Sequence, residues 1–250
     1  MPETKTDSKT LILTGASRGI GHATVKRFSS AGFRVITCSR QAFSQDCPWE
    51  QGLEDHIQID LSRPDDIIRG VAQMRERLRH NKSQINALVN NAAISPKNVD
   101  GGRLGTIETD IDDWKTVFQV NFFAPIMLAR GLLAELKKAK GAVVNVSSIA
   151  GGRVHPFAGA AYATSKAALL ALTREMAFDL SPHGIRVNAI SPGEIATSIL
   201  SAGSEKFIET IPMQRLGTPE EVAKAIYFLC TDASSYVTGA ELHINGGQHV

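Results

Sequence analysis

Cysteine is scarce in this chain, charge of one sign is in no excess, and the N-terminus has no apolar run. Each shortage excludes something. Three cysteines, Cys38, Cys47 and Cys230, lie scattered among 250 residues. With no Cys-x-x-Cys pair and no Cys/His cluster, no metal site is expected. Isolated thiols in odd number fit a reducing compartment, so the expected location is the cytoplasm. Lys plus Arg number 27 against 25 Asp plus Glu. That balance gives no electrostatic reason to expect nucleic acid or an anionic membrane as a partner. The opening segment MPETKTDSK is polar. It reads as neither signal peptide nor membrane span, and residues 1–9 are expected to form a flexible tail. No repeat, low-complexity block or linker divides the remainder, so residues 10–250 are expected to form a single domain.

What is there is alternation. Short apolar, β-branched runs predict strands at Thr10–Thr14, Arg34–Ser39, His56–Asp60, Ile85–Asn90, Ala142–Ser147, Arg186–Ser191 and Glu241–Ile244. Between them, amphipathic stretches predict helices over Ile20–Ala31, Pro64–His80, Ile111–Lys140 (one helix or two), Ala160–Leu180 and Pro219–Thr231. This pattern implies an α/β fold: a Rossmann-type, doubly wound parallel sheet of about seven strands with helices on both faces. Ligands bind such sheets at the C-terminal edge, where the strand order reverses. Long irregular stretches at 41–55, 95–110 and 195–211 are candidate functional loops.

The first predicted strand runs into Gly15-Ala16-Ser17-Arg18-Gly19-Ile20-Gly21, which opens the first predicted helix. Glycines there permit a tight turn and let a diphosphate approach the backbone, while the helix N-terminus offers N–H donors. A carboxylate is expected about 20 residues on when a dinucleotide's ribose carries a free 2′-OH. No Asp or Glu lies between Gly21 and Asp46. The second strand ends instead at Ser39-Arg40, and Arg18 sits inside the glycine loop. Two guanidinium groups at that corner suit a 2′-phosphate, which points to NADP(H).

Tyr162-Ala163-Thr164-Ser165-Lys166 opens the long helix after the fifth strand. Four residues advance a helix by about 6 Å and return to nearly the same face, so Lys166 can hold its ammonium near the Tyr162 phenol. A neighbouring cation favours phenolate and makes tyrosine a usable acid/base. Ser148, at the end of the fifth strand, can donate to a substrate carbonyl, and Gly151-Gly152 lets the chain turn past a ligand. Asn121 lies in the apolar stretch VFQVNFFAP. A buried Asn needs partners, and Pro125 would leave its carbonyl without the helical N–H.

Together these residues resemble the short-chain dehydrogenase/reductase family, in its NADP-preferring subgroup of about 250 residues and near its 3-oxoacyl-(acyl-carrier-protein) reductases. The resemblance rests on Thr14-Gly15…Gly19-Ile20-Gly21, Asp60-Leu61, Asn90-Asn91-Ala92-Ala93, Asn121, Ser148, Tyr162…Lys166 and Pro192-Gly193…Thr197. It implies a tetrad of Asn121, Ser148, Tyr162 and Lys166. Tyr162 would exchange the proton and Ser148 would polarise the carbonyl. Lys166 would hold the nicotinamide ribose and lower the tyrosine pKa, and Asn121 would kink its helix and hold a water. The cofactor set it implies comprises Gly15, Ser17, Arg18, Gly19, Ile20, Gly21, Ser39, Arg40, Asp60, Leu61, Asn91, Ala92, Tyr162, Lys166, Pro192, Gly193, Ile195 and Thr197.

The expected activity is NADP(H)-dependent hydride transfer between nicotinamide and a carbonyl or secondary alcohol carbon of a small molecule. The alternatives are a catalytically silent NADP-binding regulator and a nucleotide-retaining epimerase or dehydratase. Ser95, Pro96, His155, Phe157, Glu194 and the segment Ser198–Phe207 are candidate substrate residues. Glu194 stands where the family often has an aromatic or aliphatic residue, and the interval from Ser148 to Tyr162 is one residue longer than usual. Apolar residues on more than one face of Ile111–Lys138 and Ala160–Leu180 predict a homo-oligomer, tetramer or dimer.

Overall fold

The computed structural model describes residues 9–42, 54–80, 83–197 and 208–250. The expectations for residues 1–8, Cys47 and Ser198–Phe207 lie outside the described residues. Seven parallel strands form one sheet in the order β3-β2-β1-β4-β5-β6-β7. They are β1 (Thr10–Thr14), β2 (Arg34–Ser39), β3 (His56–Gln58), β4 (Ile85–Asn90), β5 (Ala142–Val146), β6 (Arg186–Pro192) and β7 (Glu241–Ile244). The helices are α1 (Gly19–Ser29), α2 (Pro64–His80), α3 (Ile111–Phe118), α4 (Ala124–Gly131), α5 (Leu133–Ala139), α6 (Ala160–Leu180) and α7 (Pro219–Cys230).

The strands read as continuous apolar runs because both of their faces are covered. Successive side chains alternate between two cores. Ile12, Leu88 and Val143 join Ile67, Met74, Leu128 and Leu136 of α2, α4 and α5 on one side. Leu11, Leu13, Val89 and Val144 join Val25, Phe28, Val222 and Ile226 of α1 and α7 on the other. The strand order reverses between β1 and β4, and their C-terminal ends mark the switch point.

Two stretches differ from the sequence expectation. The third strand stops at Gln58, because Asp60 begins a turn. Its carboxylate accepts from the Ser62 backbone N–H at 3.0 Å and from the Ser62 hydroxyl at 2.7 Å, a short polar side chain closing its own turn. The stretch Ile111–Lys140 is three α-helices and a π-turn. The π-turn spans Gln119–Phe123, where Pro125 removes the donor that the Asn121 carbonyl would take in an α-helix. The second break falls at Leu132, with φ −109° and ψ 10°.

Candidate active site

The glycine loop is fixed by what surrounds it. Gly15 N–H donates to the Cys38 carbonyl at 2.9 Å, which ties the loop to β2 just before Ser39 and Arg40. Gly15 has φ +70°, and a Cβ there would lie 2.8 Å from Ala92 Cα. A Cβ on Gly21 would lie 2.0 Å from the Gly15 carbonyl oxygen. Thr14 and Asn91 complete the clamp. The Thr14 hydroxyl accepts from the backbone N–H of Asn91 and of Ala92, both at 3.0 Å. The Asn91 amide donates to the Thr14 and Gly15 carbonyls at 3.0 and 2.9 Å. Arg18 is the extended N-cap of α1 and makes no side-chain cap. No side chain at the N-cap therefore takes the first-turn N–H groups of α1, which a diphosphate cradle would use.

Arg18, Ser17 and Arg40 are exposed around this loop, while Ile20 and Ser39 are half-buried. The Ser39 hydroxyl donates to the Gln41 carbonyl at 2.8 Å. Burial works against ionisation of Asp60, but hydrogen bonds from Ser62 and the charges of Arg40 and Arg63 hold its carboxyl below the usual range. Arg40 and Asp60 thus share one corner of the sheet edge. Leu61 packs against the core. A Cβ on Gly19 would lie 3.1 Å from the Thr197 methyl, so the segment after β6 crosses the loop. Of that segment, the Ile195 side chain is buried in the core, and Gly193 allows Gln248 and Asn245 to approach closely.

The second cluster stands on β5 and α6. Ser148 caps a short turn, its hydroxyl accepting from Ala150 N–H at 3.2 Å. Gly151 lets that turn lie on α6: a Cβ there would be 3.0 Å from the Ala167 nitrogen. Ser148 lies close enough to the Tyr162 phenol to favour its ionised form. Lys166 is fully buried. Its Nζ lies 5.7 Å from the Tyr162 ring centroid and donates to the Val146 carbonyl at 2.6 Å. Asn121 staples β4's loop to α6. Its amide nitrogen donates to Ile94 O and to Ser165 Oγ, each at 3.0 Å, and its oxygen accepts from Ile94 N–H at 2.9 Å.

Burial governs the titration of the pair. Burial pushes the Tyr162 phenol up; Ser148 opposes the rise, and the Glu194 charge adds to it. Burial lowers Lys166 to about 7. Desolvation dominates both groups, disfavouring the charged form of each.

His155 and Glu194 meet beside this cluster, Nε2 to Oε1 at 2.7 Å. Phe157 N–H points at His155 Nδ1, 3.4 Å away, and the two rings lie 6.2 Å apart. Ser95 is half-buried in the loop after β4.

With this geometry in place, comparison with known proteins decides the family. The family model described as "Enoyl-(Acyl carrier protein) reductase" matches residues 15–249. An oxidoreductase of the short-chain dehydrogenase/reductase family from Brucella ovis, solved in complex with a partially ordered NAD, is 63% identical. It superposes with a TM-score of 0.83 over 95% of this chain and 100% of its own. Protein FixR of Bradyrhizobium diazoefficiens is 57% identical over 98% of this chain and 88% of its own. The 3-oxoacyl-(acyl-carrier-protein) reductase FabG of Aquifex aeolicus is 32% identical over 98% of this chain and 99% of its own. This chain belongs to the short-chain dehydrogenase/reductase family. As a short-chain dehydrogenase/reductase it is an oxidoreductase that works with a nicotinamide dinucleotide on small molecules.

Sequence reasoning missed several supports of this dehydrogenase/reductase site. Thr14 was legible as the end of a strand and the start of the glycine motif, but not as the hydroxyl that holds two backbone donors. Gln248, near the C-terminus, accepts from the Glu194 backbone N–H at 3.2 Å, and nothing in the sequence signals that contact. His155 and Glu194 were separate candidates, and only the fold pairs them.

Proposed function

We propose that the chain is an NADP(H)-dependent oxidoreductase that interconverts a ketone and a secondary alcohol, with Tyr162 exchanging the proton. The observation that carries this reading is the meeting of Ser148, Tyr162 and Lys166 at the C-terminal edge of β5, with Ser148 near enough to act on the phenol and the Lys166 ammonium 5.7 Å from the ring centroid. When bound, the nicotinamide dinucleotide gives or takes the hydride. The glycine loop would hold the diphosphate. Arg18 and Arg40 would hold a 2′-phosphate, Asp60 the adenine edge, and Pro192–Thr197 the carboxamide end.

The protein's own groups then divide the acid–base work. The Ser148 hydroxyl donates to the substrate oxygen and polarises the carbonyl. The Tyr162 phenol, kept protonated by burial, donates its proton to that oxygen during reduction and takes it back during oxidation. Lys166, brought down to about 7, can pass a proton onward at neutral pH. Asn121 holds α6 against β4's loop and so fixes where the phenol stands.

Tyr162→Phe tests the reading, because it removes only the hydroxyl. Turnover of NADPH with a ketone panel should fall by about 10²–10⁴, while NADPH binding, followed by its fluorescence, should hold. Near-normal turnover would place the proton donor elsewhere.

A further inference from the structure

The substrate end of this pocket carries a buried carboxylate that the proton chemistry above does not use. Glu194 and His155 expose only 11% and 12% of their side chains, yet they face each other at 2.7 Å. Glu194 is rigidly held from its backbone. Gly193 N–H donates to the Ile244 carbonyl at 3.0 Å, Gly217 N–H to the Glu194 carbonyl at 2.9 Å, and Ala196 N–H to the Gly217 carbonyl at 2.8 Å. Gln248 takes the Glu194 N–H itself. These four bonds fix the backbone on both sides of Glu194, and His155 holds its carboxylate.

That position has a cost. Burying a carboxylate is unfavourable unless it is paired and hydrogen-bonded, and its charge acts on the Tyr162 phenol against ionisation. The imidazole offsets part of this. Phe157 N–H points at Nδ1, which leaves Nε2 as the nitrogen that donates to Glu194. A carboxylate offers about four acceptor sites, and one imidazole N–H fills one of them. The cations of the adjoining loop each donate to a backbone carbonyl instead: Lys97 to Phe157, Arg103 to Ala158 and Arg153 to Gln248. None of the three is bonded to Glu194, whose charge acts on the phenol.

We infer that Glu194, oriented by His155, is a specificity-determining residue that accepts a hydrogen bond from a hydroxyl or ammonium group next to the reacting carbon. The substrate class is then a vicinal hydroxyketone or aminoketone, or the matching diol or amino alcohol. Ketones bearing an anionic group at that position are disfavoured by like charge. The inference rests on Tyr162 being the proton donor, since that assignment fixes where the reacting oxygen sits.

The test compares hydroxyacetone, aminoacetone and butanone as substrates of the NADPH-loaded protein, unmodified and as Glu194→Gln, Glu194→Leu and Tyr162→Phe. The unmodified protein should favour the two donor-bearing ketones over butanone by about 10²-fold in kcat/KM, the scale on which a site built around a hydrogen bond rejects a ligand lacking the donor. Glu194→Leu should bring the three within about threefold, because the donor-bearing ketones lose the acceptor while any change at the phenol acts on all three alike. Glu194→Gln should retain part of the hydroxyl preference and lose the ammonium preference. Binding provides a second readout: hydroxyacetone should raise the Tm of the NADP⁺ complex more than butanone, and Glu194→Leu should abolish the difference. An unchanged preference in Glu194→Leu, with Tyr162→Phe inactive, overturns the role of Glu194 alone. Full activity of Tyr162→Phe overturns the reading beneath it. Neither turnover nor a binding difference with any of the three overturns both.

Discussion

Lys166 shows how one residue can serve a site at the expense of the fold. Its ammonium is enclosed by protein and satisfied by one carbonyl, that of Val146, and burial lowers its pKa from the usual 10.5 to about 7. Below about pH 7 the lysine is protonated in both folded and unfolded states, and the full cost of burying the cation is present. Between about 7 and 10.5 the unfolded chain keeps the proton and the folded one sheds it, so stability rises with pH. Above that range both states are neutral and the cost is gone. Relative to Lys166→Met, the dinucleotide-free protein should therefore gain up to about 4–5 kcal/mol across this window. Denaturant unfolding of both proteins at pH 6, 8 and 10 would show it, and parallel pH profiles would refute it. Arg40 offers a second check at this scale. An exposed guanidinium beside the glycine loop is a charge-assisted donor for a 2′-phosphate, so Arg40→Asp should reverse an NADPH preference in kcat/KM by about tenfold or more; equal use of NADH and NADPH by the unmodified protein would deny it. The residue types of the candidate tetrad were legible, because their spacing places them at one sheet edge. Their titration was not, because it depends on how deeply neighbouring elements bury them.

At the scale of elements, glycine is legible where the chain must turn and opaque where another element must come close. Gly21 has no positive φ, yet a Cβ on it would sit 2.0 Å from the Gly15 carbonyl oxygen. Gly32, with φ +80°, has nothing within 4 Å of that position. Gly21→Ala should push the loop off α1, weaken NADPH binding at least about tenfold and cost about 1–3 kcal/mol. Gly32→Ala should cost about 1 kcal/mol through backbone strain alone and leave NADPH binding unchanged. Titration of NADPH fluorescence, with urea unfolding alongside, separates the two; equal binding in both variants would show that the close approach is not what sets the loop. The same contrast explains which elements could be read in advance. The seven strands were visible as apolar runs because the sheet is covered on both sides, and α7 was visible as an amphipathic stretch, though the capping box that Thr218 and Glu221 close at its start was not read. The breaks between α3 and α5 were not. One depends on Pro125, whose effect on the helix was foreseeable without its outcome as a π-turn. The other follows Gly131, where a Cβ would lie 2.7 Å from the Val71 side chain, a contact that only the packed fold supplies.

At the scale of the whole molecule, the open question is where the surplus apolar surface goes. The segments Ile111–Gly131 and Leu133–Ala139 are apolar enough to pass together for a membrane span, but they bend by 64°, and Ala124, Leu128, Leu132 and Leu136 are buried in the core. Among the described residues, no single helix is long and apolar enough to cross a membrane. Part of the outer surface of these helices and of α6 is nonetheless apolar. Ile111 is 68% exposed, Phe123 47% and Phe178 82%. Trp114, Phe118, Phe122 and Phe123 form a run of ring contacts 5.2–6.2 Å apart along α3 and the π-turn. α3 packs against α6, so Phe178 and the aromatic run belong to neighbouring helices. Exposed apolar surface of this kind marks an association face in a soluble domain, and a face that meets its own copy closes a symmetric pair. The chain is therefore expected to be a dimer or tetramer. Light scattering at micromolar concentration should give two or four times the 26.9 kDa chain mass. The double change Phe123→Lys with Phe178→Lys places like charges across a two-fold contact and should shift the mass toward the single chain. A monomeric mass for the unmodified protein would refute the assignment and leave the aromatic run of α3 to some other partner.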